Sequence, residues 1–204
     1  MQQVEWAEFE LQDLFEVKTS KKRFDANKVK ISDVGYSYVV RTAENNGIRG
    51  YLQEAEEYLN EGNTLSFGQD TATVFYQEKP YFTGDKIKIL KPKVDKFGRN
   101  NVQFFISVIE RAFHSFSWGS SSFNENILKK QKISLPVKAN SDLDKIKQID
   151  FDFIEQFIGK LEAVRLSQLD SYLSVTGLKD YALTDNERQV LADFQAGKVT
   201  WDGY

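Results

Sequence analysis

Between Asp150 and Leu173 apolar side chains return every three or four residues: Phe153, Ile154, Phe157, Ile158, Leu161, Val164, Leu169, Tyr172 and Leu173. A strand repeats every two residues and would scatter this set over both of its faces. The spacing therefore predicts one helix, roughly 30–35 Å long at 1.5 Å per residue. Its apolar face is wider than a two-stranded seam requires. Packing on the preceding domain and pairing with another helix are equally compatible with the pattern. Just beyond, Thr184-Asp185-Asn186-Glu187 predicts a second, shorter helix, with Thr184 as N-cap and Glu187 completing a capping box.

The residues before the long helix read differently. Tyr36–Val40, Thr64–Phe67, Thr73–Tyr76 and Lys86–Leu90 are β-rich and bounded by turn formers, and the last alternates with period two. Val102, Phe105, Ile109, Phe113 and Phe116 recur at helical spacing, a stripe that core packing explains. Leu135-Pro136 reads as the end of regular pairing, since proline restricts the residue before it. The expected class is α+β: a mixed-sheet domain over residues 1–145, then a helical arm over residues 146–204 able to form an antiparallel helix pair. Sixteen Phe and nine Tyr supply a core without staples. The absence of cysteine removes disulfides, thiol catalysis and Cys-based zinc, and fits a reducing cytoplasm. The opening Met1–Trp6 lacks the basic flank and apolar run of a secretory signal. No segment approaches the roughly 18 apolar residues of a membrane span. A cytoplasmic protein without a membrane partner is expected.

Catalytic sets are hard to find. His114 is the single histidine and lies among aromatics; the serines at 115, 117, 120, 121 and 122 form no Gly-x-Ser-x-Gly elbow. There is no Walker loop, no Gly-x-Gly-x-x-Gly and no Asn-Pro-Pro-Tyr type of motif. Asp70 followed by Gln77-Glu78-Lys79 is a degenerate form of a magnesium-nuclease pattern, with Gln77 where a carboxylate is wanted and Pro80 after the lysine. No catalytic residue, metal ligand or cofactor is assigned.

Net charge is −3 and the isoelectric point about 5.4, which taken alone argues against nucleic acid. Local asymmetry permits it. Lys18, Lys21, Lys22 and Arg23 form one basic cluster, and Lys86, Lys88, Lys91, Lys93, Lys96 and Arg99 a second, while acids gather at Glu54, Glu56, Glu57 and Glu61. Such runs are commonly solvated faces. A further feature is an echo between the ends: Val4-Glu5-Trp6-Ala7-Glu8-Phe9 and Val199-Thr200-Trp201-Asp202-Gly203-Tyr204 both read Val-x-Trp-x-x-aromatic. It suggests one unit of a repeat, ending as the next would begin.

Four runs carry a resemblance: Arg41-Thr42-Ala43-Glu44-Asn45-Asn46-Gly47-Ile48-Arg49-Gly50-Tyr51, Ser66 through Gln77, Tyr81-Phe82-Thr83-Gly84-Asp85-Lys86-Ile87, and Phe116-Ser117-Trp118-Gly119-Ser120-Ser121. With Trp6-x-x-Phe9-x-Leu11-x-x-Leu14-Phe15 and Tyr181-x-Leu183-Thr184-x-x-Glu187, they resemble the specificity subunits of type I and type IIB restriction–modification systems. The resemblance implies a non-catalytic subunit that reads double-stranded DNA. In that family two tandem target-recognition domains each precede a long helix. The helices pair antiparallel and space the two half-sites, and methyltransferase (modification) subunits dock around them. A restriction subunit is a further candidate partner. This chain holds one domain–helix unit, so it is either a half-subunit that forms a homodimer or half of a longer chain.

On that reading the loops become the DNA readers. Arg, Lys, Asn and Gln contact purine edges, while Ser, Thr and backbone N–H groups mainly bind phosphate. The candidates are Lys21, Lys22, Arg23, Arg41, Asn45, Asn46, Arg49, Gln69, Lys96, Arg99, Asn100 and Asn101, then Ser120, Ser121 and Asn124. Asn45-Asn46-Gly47 is also good turn chemistry, and Asn100-Asn101 also suits a helix start. Phe157, Ile158, Leu161, Val164 and Leu169 are the candidate partner-helix surface. A protein-interaction module without DNA binding, which the acidic isoelectric point favours, is the alternative. The magnesium nuclease stands third.

Overall fold

The computed structural model describes residues 4–113, 125–138, 144–179 and 182–196. His114, Phe116, Ser120, Ser121, Asn124, Trp201 and Tyr204 lie outside the described residues, and with them the C-terminal half of the terminal echo. The chain divides into two compact units, residues 1–159 and 160–204.

The first unit runs β1 (Glu5–Glu10), α1 (Leu11–Leu14), β2 (Phe15–Thr19), β3 (Tyr36–Val39), β4 (Ile48–Leu52), β5 (Thr64–Gly68), β6 (Val74–Gln77), β7 (Phe82–Thr83), β8 (Ile87–Pro92), α2 (Val102–Phe113), α3 (Glu125–Lys130) and β9 (Lys132–Val137). Helix α4 (Phe151–Thr176) begins in this unit, and α5 (Asp185–Gln195) follows in the second. The architecture is α+β. Strands β2, β8, β5 and β6 form an antiparallel sheet in that order, and β4, β3 and β7 a mixed one in which β3 and β7 run parallel. A third pairing joins β1 to β9, antiparallel.

Phenylalanine organises the main core. Phe15 from β2, Phe67 from β5, and Phe105, Ile109 and Phe113 along one face of α2 are all buried together. The Phe105 ring meets Phe97 at 5.3 Å, Phe151 at 5.9 Å and Phe15 at 6.2 Å between centroids. Such edge and tilted contacts add to the apolar area removed from water. Phe151 and Ile154 bring the first turn of α4 into this same core. A smaller cluster of Phe24, Tyr38, Leu52 and Phe82 lies under the three-stranded sheet.

Three local outcomes refine the sequence reading. Pro136 does not end pairing: it sits inside β9 opposite Trp6, with its carbonyl turned away to accept the Asp150 N–H at 2.9 Å. At such a position the missing N–H leaves no ladder bond unmade, which is where a strand tolerates proline. Helix α4 runs past Leu173 to Thr176 and ends where Gly177 adopts a left-handed φ of 72°; Leu178 N–H then closes on the Leu173 carbonyl at 2.9 Å. The capping box of α5 forms as expected, Thr184 Oγ1 accepting from Glu187 N–H and Glu187 accepting from Thr184 N–H at 2.8 Å.

The start of the long helix packs on its own domain, one of the two uses that its pattern left open. Ile158 packs against the main core, and Phe157 stands edge-on to Phe104 at 6.0 Å and stacks on Phe153 at 6.2 Å. These two are therefore partly engaged by their own domain. Leu161, Val164 and Leu169 are about half exposed, as are Val190, Leu191 and Phe194 on α5. Among the described residues no helix is long and apolar enough to cross a membrane.

Candidate nucleic-acid interface

Three of the nominated arginines, far apart in sequence, converge. Arg23 follows β2, Arg41 follows β3 and Arg49 lies in β4, and all three line one open cleft of about 570 Å³. Tyr38, Asp25 and Asp85 share its wall. Backbone pairing sets this up: Phe24 N–H donates to Thr83 O at 3.0 Å, and Gly84 N–H donates to Val39 O at 2.8 Å. The Tyr38 hydroxyl donates to Phe24 O at 2.8 Å and tethers the loop from below. Burial pushes the Tyr38 hydroxyl above its ordinary pKa, while the Arg49 guanidinium pulls the other way.

The arginines differ in their engagements. Arg23 faces Asp85 at 3.5 Å, with both side chains more than half exposed; exposed pairs of this kind contribute little and exchange readily. Arg41 bonds Asp70 through Nη1, and Lys86 Nζ reaches the same carboxylate at 2.9 Å. The hydrogen bond from Lys86, reinforced by Arg41, holds the Asp70 carboxyl below its ordinary pKa. The pairing is thus fully present above the usual aspartate pKa and is lost only as pH falls through the depressed value. Arg49 has no acidic partner among the described residues. Lys22 lies over two rings, 4.2 Å from Tyr58 and 4.6 Å from Phe24, which fixes an exposed cation without neutralising it.

Other candidates are placed elsewhere or otherwise occupied. Asn45, Asn46 and Gly47 are consecutive left-handed residues, with φ of 46°, 53° and 75°. Asparagine tolerates that region and glycine favours it. The two amides brace the turn, Asn45 donating to Ile48 O at 3.0 Å and Asn46 to Tyr76 O at 2.9 Å. Asn101 is only 1% exposed. Its amide donates to Lys96 O at 2.7 Å and Glu155 at 3.1 Å, and its carbonyl accepts Gly98 N–H at 3.1 Å. That residue starts α2 and is not available to a groove. Lys96 borders a separate hollow of about 260 Å³ with Lys138 and Lys147. Arg99 and Asn100 are exposed, and Arg99 lies 3.8 Å from Glu78. Gln69 N–H donates to Lys86 O at 3.0 Å, and Lys21 is exposed beside Lys22.

The two basic clusters do not survive folding as continuous patches. Lys18 and Lys91 share Glu61, at 3.5 and 2.5 Å, and Lys88 is largely covered and paired with Glu125 at 3.0 Å. Glu61, counted among segregated acids in the sequence, is a cross-strand neutraliser. The nuclease reading also fails at its first ligand. Asp70 is held between two cations, and Gln77 is buried, donating to Asn46 O at 3.0 Å and Ser66 Oγ at 3.2 Å. A dication would have to displace both cations. The sequence reading missed Asp70 as a partner of Arg41, because the pair is separated by 29 positions and no local pattern joins them.

A family model describing the type I restriction modification DNA specificity domain matches residues 3–171. The chain belongs to this family. The specificity subunit S.BcgI of a type II restriction enzyme, from Heyndrickxia coagulans, is 28% identical over 218 residues, covering 98% of this chain and 61% of its own length. In structure, the chain is similar to the S subunit of a type I restriction–modification system from M. genitalium, with a TM-score of 0.51 and 16% identity. It is also similar to the HsdS subunit from Thermoanaerobacter tengcongensis, with a TM-score of 0.54 and 11% identity. These alignments cover 98% and 95% of this chain and 46% of each solved chain, so the likeness is to the specificity-domain fold. The chain spans about three-fifths of the curated relative and under half of the solved ones. The residues that line the arginine cleft all fall within the matched span.

Proposed function

We propose that this chain reads one half-site of a double-stranded DNA target for a restriction–modification complex, performing no chemistry itself. The observation that carries this is the convergence of Arg23, Arg41 and Arg49 on one cleft of a specificity domain. Guanidinium groups are the side chains best suited to purine edges and to phosphate. Lys21 and Lys22 adjoin Arg23 in the chain as exposed cations, and Arg99 and Asn100 are exposed outside the cleft. Asn45 and Asn46 shape the turn that carries Arg49, and Asn101 leaves the reading set. The exposed apolar residues of α4 and α5 support a second part to the function. They would pair two copies, or a copy and a following unit, and present a surface for the modification subunit.

Titrating the chain with labelled duplex DNA across salt concentrations tests the reading. Affinity should fall linearly on logarithmic axes, and Lys22→Ala should flatten the slope by about one unit while weakening all sequences alike. Arg49→Ala should instead cost about 1–3 kcal/mol at a single base position. Binding unchanged by both substitutions would remove the cleft as the reader. Methyl transfer by the isolated chain with S-adenosylmethionine would overturn the non-catalytic role.

A further inference from the structure

The Arg41–Asp70 pair carries directional information as well as charge. Arg41 Nη1 and Lys86 Nζ both bond the same oxygen, Asp70 Oδ2. Oδ1 is left as an acceptor among the described residues, on a side chain 38% exposed. Arg41 remains 35% exposed, and its Nη2 and Nε donors stay outside this contact. The carboxylate is also held rigidly. Gly68 N–H closes on Thr73 O at 3.0 Å, Ala72 N–H on Gly68 O at 2.8 Å, and Gln69 N–H on Lys86 O at 3.0 Å, so Asp70 rides a turn anchored to β5, β6 and the start of β8. Held beside two cations, Asp70 is a carboxylate at neutral pH, an acceptor with no donor of its own.

We propose that Arg41 and Asp70 together read one G·C base pair in the major groove, Arg41 donating to guanine N7 and O6 and Asp70 Oδ1 accepting from the cytosine N4 amino group. The inference rests on the DNA-reading function proposed above. Seen from the guanine side, a G·C pair presents acceptor, acceptor, donor; an A·T pair presents acceptor, donor, acceptor and a methyl group. A fork of two donors beside one acceptor complements the first order alone. Against A·T, a guanidinium donor would face the adenine amino group and the carboxylate would face thymine O4. Each leaves a desolvated polar group without a partner. Lys86, bonded to Oδ2, is a positioning residue that orients the carboxylate and leaves Oδ1 outside its contact.

Selection by the 204-residue chain from duplexes carrying a randomised core of about 20 base pairs, followed by sequencing, tests this. Wild type should enrich a motif with one invariant G·C pair. Asp70→Asn and Arg41→Lys should each relax that same position by about 5- to 150-fold while leaving the rest of the motif intact. Circular dichroism and the melting temperature of both variants establish that the domain remains folded. An unchanged motif in Asp70→Asn overturns the inference while the DNA reading stands. Relaxation at every position overturns it too, since it marks a general structural role. Failure of the wild type to enrich any sequence overturns the DNA reading, and the inference with it.

Discussion

Replacing Phe105 by alanine is expected to lower stability by about 3–5 kcal/mol, a large share of the roughly 5–15 kcal/mol typical of a domain. The ring is 1% exposed and meets Phe15, Phe97 and Phe151, so truncation leaves a cavity lined by rings from β2, the loop before α2, and the start of α4. Rigid aromatics held by three separate elements collapse poorly into such a space. Urea denaturation should show an earlier midpoint with an unchanged slope, because the surface exposed on unfolding is the same. The start of α4 should loosen along with the sheet, since Phe151 ties it to this ring. A loss under about 1 kcal/mol would mean that the cluster repacks and that α4 is held in place by something else.

Leu161→Glu is expected to abolish self-association and leave the fold intact. Leu161 is half exposed within its own chain, and glutamate is a good helix former, so the monomer loses little. In an antiparallel pair the same carboxylate would be buried against Val164, Leu169 or their counterparts. Burying an unpaired charge is costly enough to dissociate such an interface. Sedimentation of the wild type at tens of micromolar should give a dimer, the commonest closed assembly, and the variant a monomer. Two identical readers would then select a symmetric, interrupted site. An undisturbed dimer in Leu161→Glu would move the interface off this face. A strictly monomeric wild type would leave the second reader to a longer chain or to another subunit.

Periodic elements were legible and contact-defined ones were not. Helices α2 and α4 follow from spacing alone, because a 3.6-residue repeat over many residues has no competing reading. Strands β3, β5, β6 and β8 were also readable within a residue or two. Strand β1, Glu-Trp-Ala-Glu-Phe-Glu, was not: its glutamates disfavour a strand, and only pairing with β9 makes it one. Strand β2 has the alternation, but its place in the sheet comes only from pairing with β8.

The same division runs through the site. Amino-acid order by itself determined the long helix, the capping box at Thr184, the Asn-Asn-Gly turn and the family resemblance, all carried by neighbours in the chain. Only the tertiary structure decided which charges are available. Glu61 neutralises Lys18 and Lys91, Asn101 is buried, and Arg23, Arg41 and Arg49 are brought to one cleft beside Asp70. Those outcomes depend on strand order and register, which join residues tens of positions apart. An ion pair or a shared cleft has no period, so the linear sequence holds no local trace of it.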